Sequence, residues 1–235
     1  MQTRIIRVNR LLLIALAAAP LLFLQPFIHH FQVYLTGTIV TGIVKRQWHL
    51  VVISIVVFGL FLIPLTYRKR AKWVDYGLVG AFFISLFIEM FGIPLTILFA
   101  SKFLFVPGTA MPEHVVTFNF MGVSLGMDHA MTYGLVVMLI GMVLIMAGWI
   151  SLYAQVRPPG FAHKGLYRYS RHPQYLGFVL LVIGWFFGWP TILTVIFSPI
   201  LVYKYIKAAR SEEADMIRLY GDAYADYMTD TPFLI

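Results

Sequence analysis

The amino-acid sequence predicts an all-α fold, a polytopic transmembrane bundle of about five to six spans that ends in a helical hairpin and a cytoplasmic amphipathic helix. Composition is the first observation behind this prediction. Hydrophobic residues make up 60% of the 235 residues and charged residues only 12%, about half the charged share of soluble domains. The second observation is a series of apolar runs long enough to cross a bilayer. The chain has no cysteine, which excludes disulfides and thiolate metal sites.

Six apolar runs are candidate spans, since a helix needs about 20 residues to cross the hydrocarbon core. The first follows Arg4, Arg7 and Arg10 and resembles a signal peptide, which we interpret as an uncleaved anchor. Gly188 and Pro190 divide the last stretch into two short arms, which predict a hairpin. The runs are Leu11–Ile28, His49–Thr66, Trp73–Ala100, His129–Tyr153, Gln174–Trp189 and Pro190–Tyr205.

Positive charge indicates which ends of the spans face the cytoplasm, because cytoplasmic loops are enriched in Lys and Arg. With alternating spans, 15 of the 18 basic residues fall on the side that holds both termini, and Lys45, Arg46 and Lys102 fall on the other. Both termini are therefore predicted to be cytoplasmic, in a prokaryotic inner membrane. The net charge of +8 fits attraction to anionic lipid headgroups, and no nucleic-acid partner is predicted.

We predict a single membrane domain over residues 1–235, with four spans in 1–153 and a connector, the hairpin and the last helix in 154–235. The connector between the third and fourth spans, residues 101–128, is expected to be an interfacial cap. No metal site is predicted, because the histidines lie near span ends without carboxylates at ligand spacing.

The connector before the hairpin concentrates cationic and aromatic residues at the cytoplasmic side. Pro158 and Pro159 end the preceding span, and Pro173 suits the first turn of the next helix. That helix would begin with unpaired N–H groups beside His172 and the neighbouring arginines, Arg168 and Arg171. This arrangement predicts an anion site. The alternative is that the arginines only mark the membrane interface and the tyrosines form an aromatic belt.

A second polar segment follows the hairpin. If residues 208–227 form one helix, Glu213 lies on the same stripe as Tyr220, Tyr224 and Tyr227. A carboxylate on such a buried stripe is costly unless it is paired. It is therefore either a handle for a ligand or the partner of Arg210, one turn earlier.

Together the two segments resemble the isoprenylcysteine carboxyl methyltransferase and phospholipid methyltransferase family of integral membrane enzymes, over about the last 80 residues. The first motif is Gly165-x-Tyr167-x-x-x-Arg171-His172-Pro173-x-Tyr175-x-Gly177. The second, after the hairpin, is Glu212-Glu213-x-x-Met216-x-x-x-Tyr220-Gly221-x-x-Tyr224-x-x-Tyr227.

The resemblance implies a methyltransferase that uses S-adenosyl-L-methionine, bound at the cytoplasmic end of the hairpin. It departs from the eukaryotic enzymes at residues 158–161, where those carry a His-led segment. Carried over by position, the cofactor contacts are Gln155, Pro159, Gly160, Phe161, Ala162, Gly165, Tyr167, His172, Pro173, Gln174, Tyr175 and Glu213.

Three residues are the predicted catalytic or acceptor-binding groups. Arg210 takes the place of an arginine that contacts substrate in the family, and Arg171 offers a second positive charge. Glu89 lies deep in the third span, where a carboxylate marks a cavity wall or is a protonated acid bonded to a neighbouring helix. If the acceptor is an amine, His172 or Glu89 would be the base. The acceptor itself is expected to be lipidic and to enter from the membrane.

Two other functions remain open from the sequence. One is an NADPH-dependent reductase of the membrane sterol type, which has a similar C-terminal arrangement. The other is a non-catalytic transporter or assembly factor, in which Glu89 and the pair Gly184 and Gly188 would serve transport or helix packing. Neither the chemistry at the methyl acceptor nor the oligomeric state is predicted.

Overall fold

A computed structural model describes residues 11, 14–36, 110, 112–120, 123–155 and 160–234. The predicted spans His49–Thr66 and Trp73–Ala100 lie outside these residues, and so do Glu89 and Pro159. The elements in order are α1 (Ile14–Leu22), α2 (Leu24–Leu35), β1 (Val116–Phe120), β2 (Val123–Met127), α3 (His129–Gln155), a 3-10 helix (Gly165–Arg168), α4 (Pro173–Gly188), α5 (Ile192–Tyr220) and α6 (Asp222–Asp230).

Two compact units divide the chain. The first contains the described parts of 1–24, 133–185 and 200–235, and the second those of 25–132 and 186–199. All the predicted cofactor contacts that the structure describes fall within the first unit, together with Arg171 and Arg210.

The helix α3 matches the fourth predicted span and extends it to Gln155. It has 27 residues and is about 40 Å long at 1.5 Å per residue. Among the described residues it is the one helix long and apolar enough to cross a membrane by itself. The first predicted span, Leu11–Ile28, is instead bent at Phe23 between α1 and α2, which pass the same test only when counted together.

The C-terminal helices differ from the prediction in where they break. α4 begins and ends within one residue of the predicted arm, as the Pro173 start and the Gly188 end require. The second arm and the last helix are not separate, since α5 runs without a break for 29 residues through Pro199. The helix expected over 208–227 ends at Tyr220 because Gly221 adopts a left-handed backbone, with φ of 55°.

A two-stranded antiparallel hairpin corrects the all-α prediction. β1 and β2 pair from Val116 with Met127 to Phe120 with Val123, within the connector that was expected only to cap the bundle. Valine, threonine and phenylalanine favour extended backbone, but the segment is short and the apolar pattern elsewhere is helical. In the same unit, Asp128 caps α3 through the Met131 N–H at 2.9 Å and accepts a 2.6 Å hydrogen bond from His30 Nδ1.

Glycines bring α3 and α4 into backbone contact within the first unit. A Cβ on Gly141 would lie 2.6 Å from the carbonyl oxygen of Gly177, and one on Gly184 would lie 2.5 Å from that of Gly134. Real Cβ atoms do not approach that closely, so a side chain at these positions would push the helices apart. The seven-residue spacing of the glycines keeps them on one face of each helix.

Enlarging a glycine in this contact should destabilise the protein. Gly177→Leu is expected to lower the free energy of unfolding by about 1–3 kcal/mol or more, because overpacking displaces backbone. Thermal unfolding in detergent measures the effect. Val143→Leu, on a face of α3 where Val143 is 65% exposed, is the control and should change stability little. Equal stability of the two variants would contradict the close contact.

Candidate active site

An ion pair joins the two polar segments that the sequence singles out. Arg171 Nε donates to Glu213 Oε1 at 2.6 Å, and His172 Nε2 lies 3.2 Å from the same oxygen. All three side chains are at least about nine-tenths buried. The predicted juxtaposition of His172 and Glu213 is therefore present, and the partner of Glu213 is Arg171. The alternative pairing with Arg210 is wrong: Arg210 is exposed and forms no ion pair among the described residues.

Arg171 also holds the end of the chain that the structure describes. Its Nη1 donates to the carbonyl oxygens of Met228 at 2.7 Å and Thr231 at 2.6 Å, and its backbone N–H donates to Pro232 O at 3.0 Å. The Phe233 ring lies 5.8 Å from the guanidinium carbon. A planar guanidinium can make these contacts at once, whereas an ammonium group cannot. In this structure the Nε and Nη1 donors of Arg171 are thus directed at protein groups.

His172 is held in a mostly apolar environment. The Phe233 ring centre is 5.0 Å from the imidazole, and that of Tyr175 is 5.7 Å away. Burial lowers the pKa of His172 below its ordinary value; the Glu213 carboxylate opposes this and the Arg171 charge adds to it. The ring is therefore biased toward its neutral form, and its Nε2 is not aligned for a hydrogen bond to Glu213.

Four aromatic rings meet beside this cluster. Phe161 lies at their centre, with ring centres 5.2 Å from both Tyr220 and Tyr224 and 5.5 Å from Tyr227. The Tyr220 hydroxyl donates to Gly160 O at 3.0 Å and that of Tyr227 to Tyr167 O at 2.5 Å. The predicted tyrosine stripe thus faces the connector although Gly221 divides its helix. Burial raises the pKa of Tyr224 to about 12, so its hydroxyl stays protonated.

The connector is fixed by one side chain at the end of α3. Gln155 Oε1 accepts from the N–H of Lys164 at 2.7 Å and of His163 at 3.2 Å, and Nε2 donates to Lys164 O at 2.9 Å. Gly165 then turns with φ of 61°, and a Cβ there would lie 2.6 Å from Ser151 Oγ. Gln155 was predicted to contact the cofactor, and here it positions the segment that does line a cavity.

A cavity of about 730 Å³ lies between the connector and α6. Its walls include Gly160, Phe161, Gly165, Arg168, Tyr220 and Tyr227. Its volume falls within the usual range for small-molecule sites. Aromatic walls of this kind favour a flat or cationic ligand.

The other predicted contacts occupy several places in the same unit. Ala162 and Tyr167 are buried, and Pro173 begins α4. The Tyr175 hydroxyl donates to Glu212 Oε1 at 2.5 Å, and Gln174 packs on Gly148. The sequence did not indicate Lys164 at the cavity or Thr231 and Phe233 at Arg171. For Thr231 the contact is a backbone carbonyl, which carries no residue-specific signal.

Among known protein families, residues 156–223 match the phospholipid methyltransferase family. Methanethiol S-methyltransferase of Crocosphaera subtropica is 30% identical over 78 residues, which are 33% of this chain and 30% of the relative. Methanethiol S-methyltransferase 1 of Bradyrhizobium diazoefficiens is 33% identical over 34% of this chain and 28% of its own. Protein-S-isoprenylcysteine O-methyltransferase of Schizosaccharomyces pombe is 33% identical over 29% of each chain.

The matched segments thus span less than a third of these relatives. No solved structure matches the chain significantly.

Removing the Arg171 guanidinium should loosen the C-terminal segment. Arg171→Gln is expected to cost about 3–5 kcal/mol of unfolding free energy, because it leaves the Glu213 carboxylate buried without its cation. Arg171→Lys should restore little of the lost stability, since the single lysine nitrogen cannot reach the Glu213 carboxylate and both carbonyl oxygens. Unfolding in detergent and chymotrypsin cleavage at Phe233 measure both effects. Arg218→Gln, which removes an exposed 3.5 Å pair with Asp215, is the control and should cost at most about 1 kcal/mol. Equal stability and cleavage of the two Gln variants would contradict the clamp.

Burial of His172 should make stability depend on pH. The folded chain resists protonating this ring, whereas the unfolded chain protonates it near pH 6.5. Stability is therefore expected to fall as the pH drops below about 6.5. His172→Gln should flatten this slope by at most about 1.4 kcal/mol per pH unit, measured by thermal unfolding between about pH 5 and pH 8. His163→Gln, at an exposed histidine of the same connector, should keep the slope; an unchanged slope in His172→Gln would refute the assignment.

Proposed function

For a chain whose residues 156–223 carry the phospholipid methyltransferase match, we propose an integral membrane enzyme that transfers a methyl group from S-adenosyl-L-methionine to a lipid-like acceptor. The enzyme would cross the membrane several times, with α4 and α5 as the two arms of the predicted hairpin. Both termini would be cytoplasmic, so that the site faces a soluble cofactor. The apolar helix α3 and the membrane character of the family support this placement.

One observation carries the proposal: the two ordered motifs, 42 positions apart, meet at the Arg171–Glu213 contact of 2.6 Å. Thr231, whose carbonyl oxygen accepts from Arg171, also lines the aromatic-walled cavity. Two polar segments separated by a pair of helices are thus in contact, an arrangement that a cofactor site requires. A purely structural ion pair would not need the cavity.

The residues present fit S-adenosyl-L-methionine. Phe161, Tyr220 and Tyr227 offer ring faces for an adenine or a sulfonium, and the cavity is large enough for a small molecule. Both contacts to Glu213 use Oε1, so the second carboxylate oxygen is directed at neither cation and suits a ribose hydroxyl. When bound, the cofactor would supply an electrophilic methyl group with its own leaving group.

The task of the protein is then to align donor and acceptor and to exclude water. The rings around Phe161 form an apolar wall, and the Gln155 contacts hold the connector in one conformation. No nucleophilic side chain is needed. Neutral His172 would accept a proton if the acceptor enters as a thiol or amine. A carboxylate acceptor would need only a nearby positive charge, for which exposed Arg210 is the predicted residue.

The names of the relatives bear on the choice among functions. One acts on methanethiol and another on a prenylated cysteine, so thiol and carboxylate acceptors of apolar character are the first to test. All three relatives are methyltransferases, which favours methyl transfer over the nicotinamide-dependent reductase and over a transporter or assembly factor.

Titration of the purified chain with S-adenosylhomocysteine tests the cofactor assignment. We expect His172→Ala and Glu213→Ala to weaken binding at least tenfold, because each removes a polar group from the proposed site. Arg218→Gln, exposed on α5, should bind as the unaltered chain does. Transfer of labelled methyl groups to prenylcysteine, an apolar thiol and extracted lipids identifies the acceptor. Absence of binding and of transfer by the unaltered chain would overturn the proposal.

A further inference from the structure

Two cations line the cavity without a neutralising partner. Lys164 and Arg168 are both exposed and both contribute to its wall. Among the residues that the structure describes, neither forms an ion pair. Asp230 is the one carboxylate among the described lining residues, and it is not within ion-pair distance of either cation. The rim of the cavity therefore carries a net positive charge.

The backbone under these two side chains is held in place. Gln155 binds both the N–H and the carbonyl of Lys164, and the left-handed turn at Gly165 leads directly into the 3-10 helix that ends at Arg168. Tyr167, between them, is buried, and its carbonyl accepts from Tyr227. The backbone positions from which the two cations extend are thus held at the wall of the cavity.

The contacts of Arg171 favour a different position for the expected anion site. The sequence predicts it at the start of α4, with Arg168 and Arg171 together. Arg171 instead directs its Nε and Nη1 donors at Glu213 and two carbonyl oxygens, so these donors cannot bind a ligand anion without breaking those bonds. Arg168 remains available and has Lys164 as its companion at the cavity.

We propose that Lys164 and Arg168 form an anion-binding site at the rim of this cavity, which takes a carboxylate or phosphate group of an amphiphilic ligand. The aromatic wall would hold the apolar or flat part of that ligand and the two cations its charged end. The inference rests on the proposed function for the identity of the ligand. The anion is either the amino-acid carboxylate of the methyl donor or the phosphate of an anionic lipid.

The double variant Lys164→Gln/Arg168→Gln of the full chain tests the site. Its control is Lys207→Gln/Arg218→Gln, which removes the same charge from exposed positions of α5. The first arm compares S-adenosylhomocysteine with 5′-methylthioadenosine, which lacks the carboxylate. If the donor carboxylate binds here, the double variant should lose at least tenfold affinity for the first probe and keep its affinity for the second.

The second arm measures the thermal shift given by short-chain phosphatidylglycerol and by phosphatidylcholine with the same chains. If a lipid phosphate binds here, phosphatidylglycerol should stabilise the unaltered chain and the control more than phosphatidylcholine does, and this preference should vanish in Lys164→Gln/Arg168→Gln. The inference is overturned if the double variant matches its control in both arms. Failure of the proposed function is a different result, namely that the unaltered chain neither binds S-adenosylhomocysteine nor transfers a methyl group.

Discussion

The buried ion pair between Arg171 and Glu213 holds three parts of the first unit at one point: the connector, α5 and the segment after α6. Without Arg171, the Glu213 carboxylate would be a buried charge with no cation beside it. Without Glu213, burial of the Arg171 guanidinium would be equally unfavourable. Once paired, the guanidinium has donors left for the carbonyls of Met228 and Thr231. The same helix α6 supplies Tyr227 to the aromatic wall, where its hydroxyl donates to Tyr167 O of the connector.

Much of this site could be predicted from the sequence because polar residues are scarce in an apolar chain. His172 and Glu213 stand out as costly to bury, and their meeting is what the two motifs imply. The family resemblance drawn from those motifs is confirmed over residues 156–223. The partner of Glu213 was harder to predict, since a helical neighbour such as Arg210 satisfies spacing alone. Only the folded chain shows that a residue 42 positions away is closer.

Helices whose bounds are set by the length of an apolar run could be predicted from the sequence. Helix ends that depend on a single residue were harder to predict. α4 matches because Pro173 and Gly188 bound a uniform apolar run, and α3 matches because its run is long and apolar throughout. The continuous α5 was missed because the change from apolar to polar residues after Tyr205 suggests an end, yet the helix continues to Tyr220. The break at Gly221 was missed because its neighbours favour helix. The strands β1 and β2 do alternate apolar with polar or small residues, but this short strand signal was outweighed by the helical pattern of the rest of the chain.

The glycine contact between α3 and α4 determines which parts of the first unit can separate. At Gly141 and Gly177 the two helix backbones touch, so no side-chain rotation can change their separation. Gln155, at the end of α3, holds the connector against this helix pair. The helices α3 and α4 and the connector thus form the rigid side of the cavity. On the other side of the cavity lies α6, which follows the positive-φ residue Gly221 and whose end is held by the Arg171 guanidinium. A change in the width of the cavity would therefore have to come from α6.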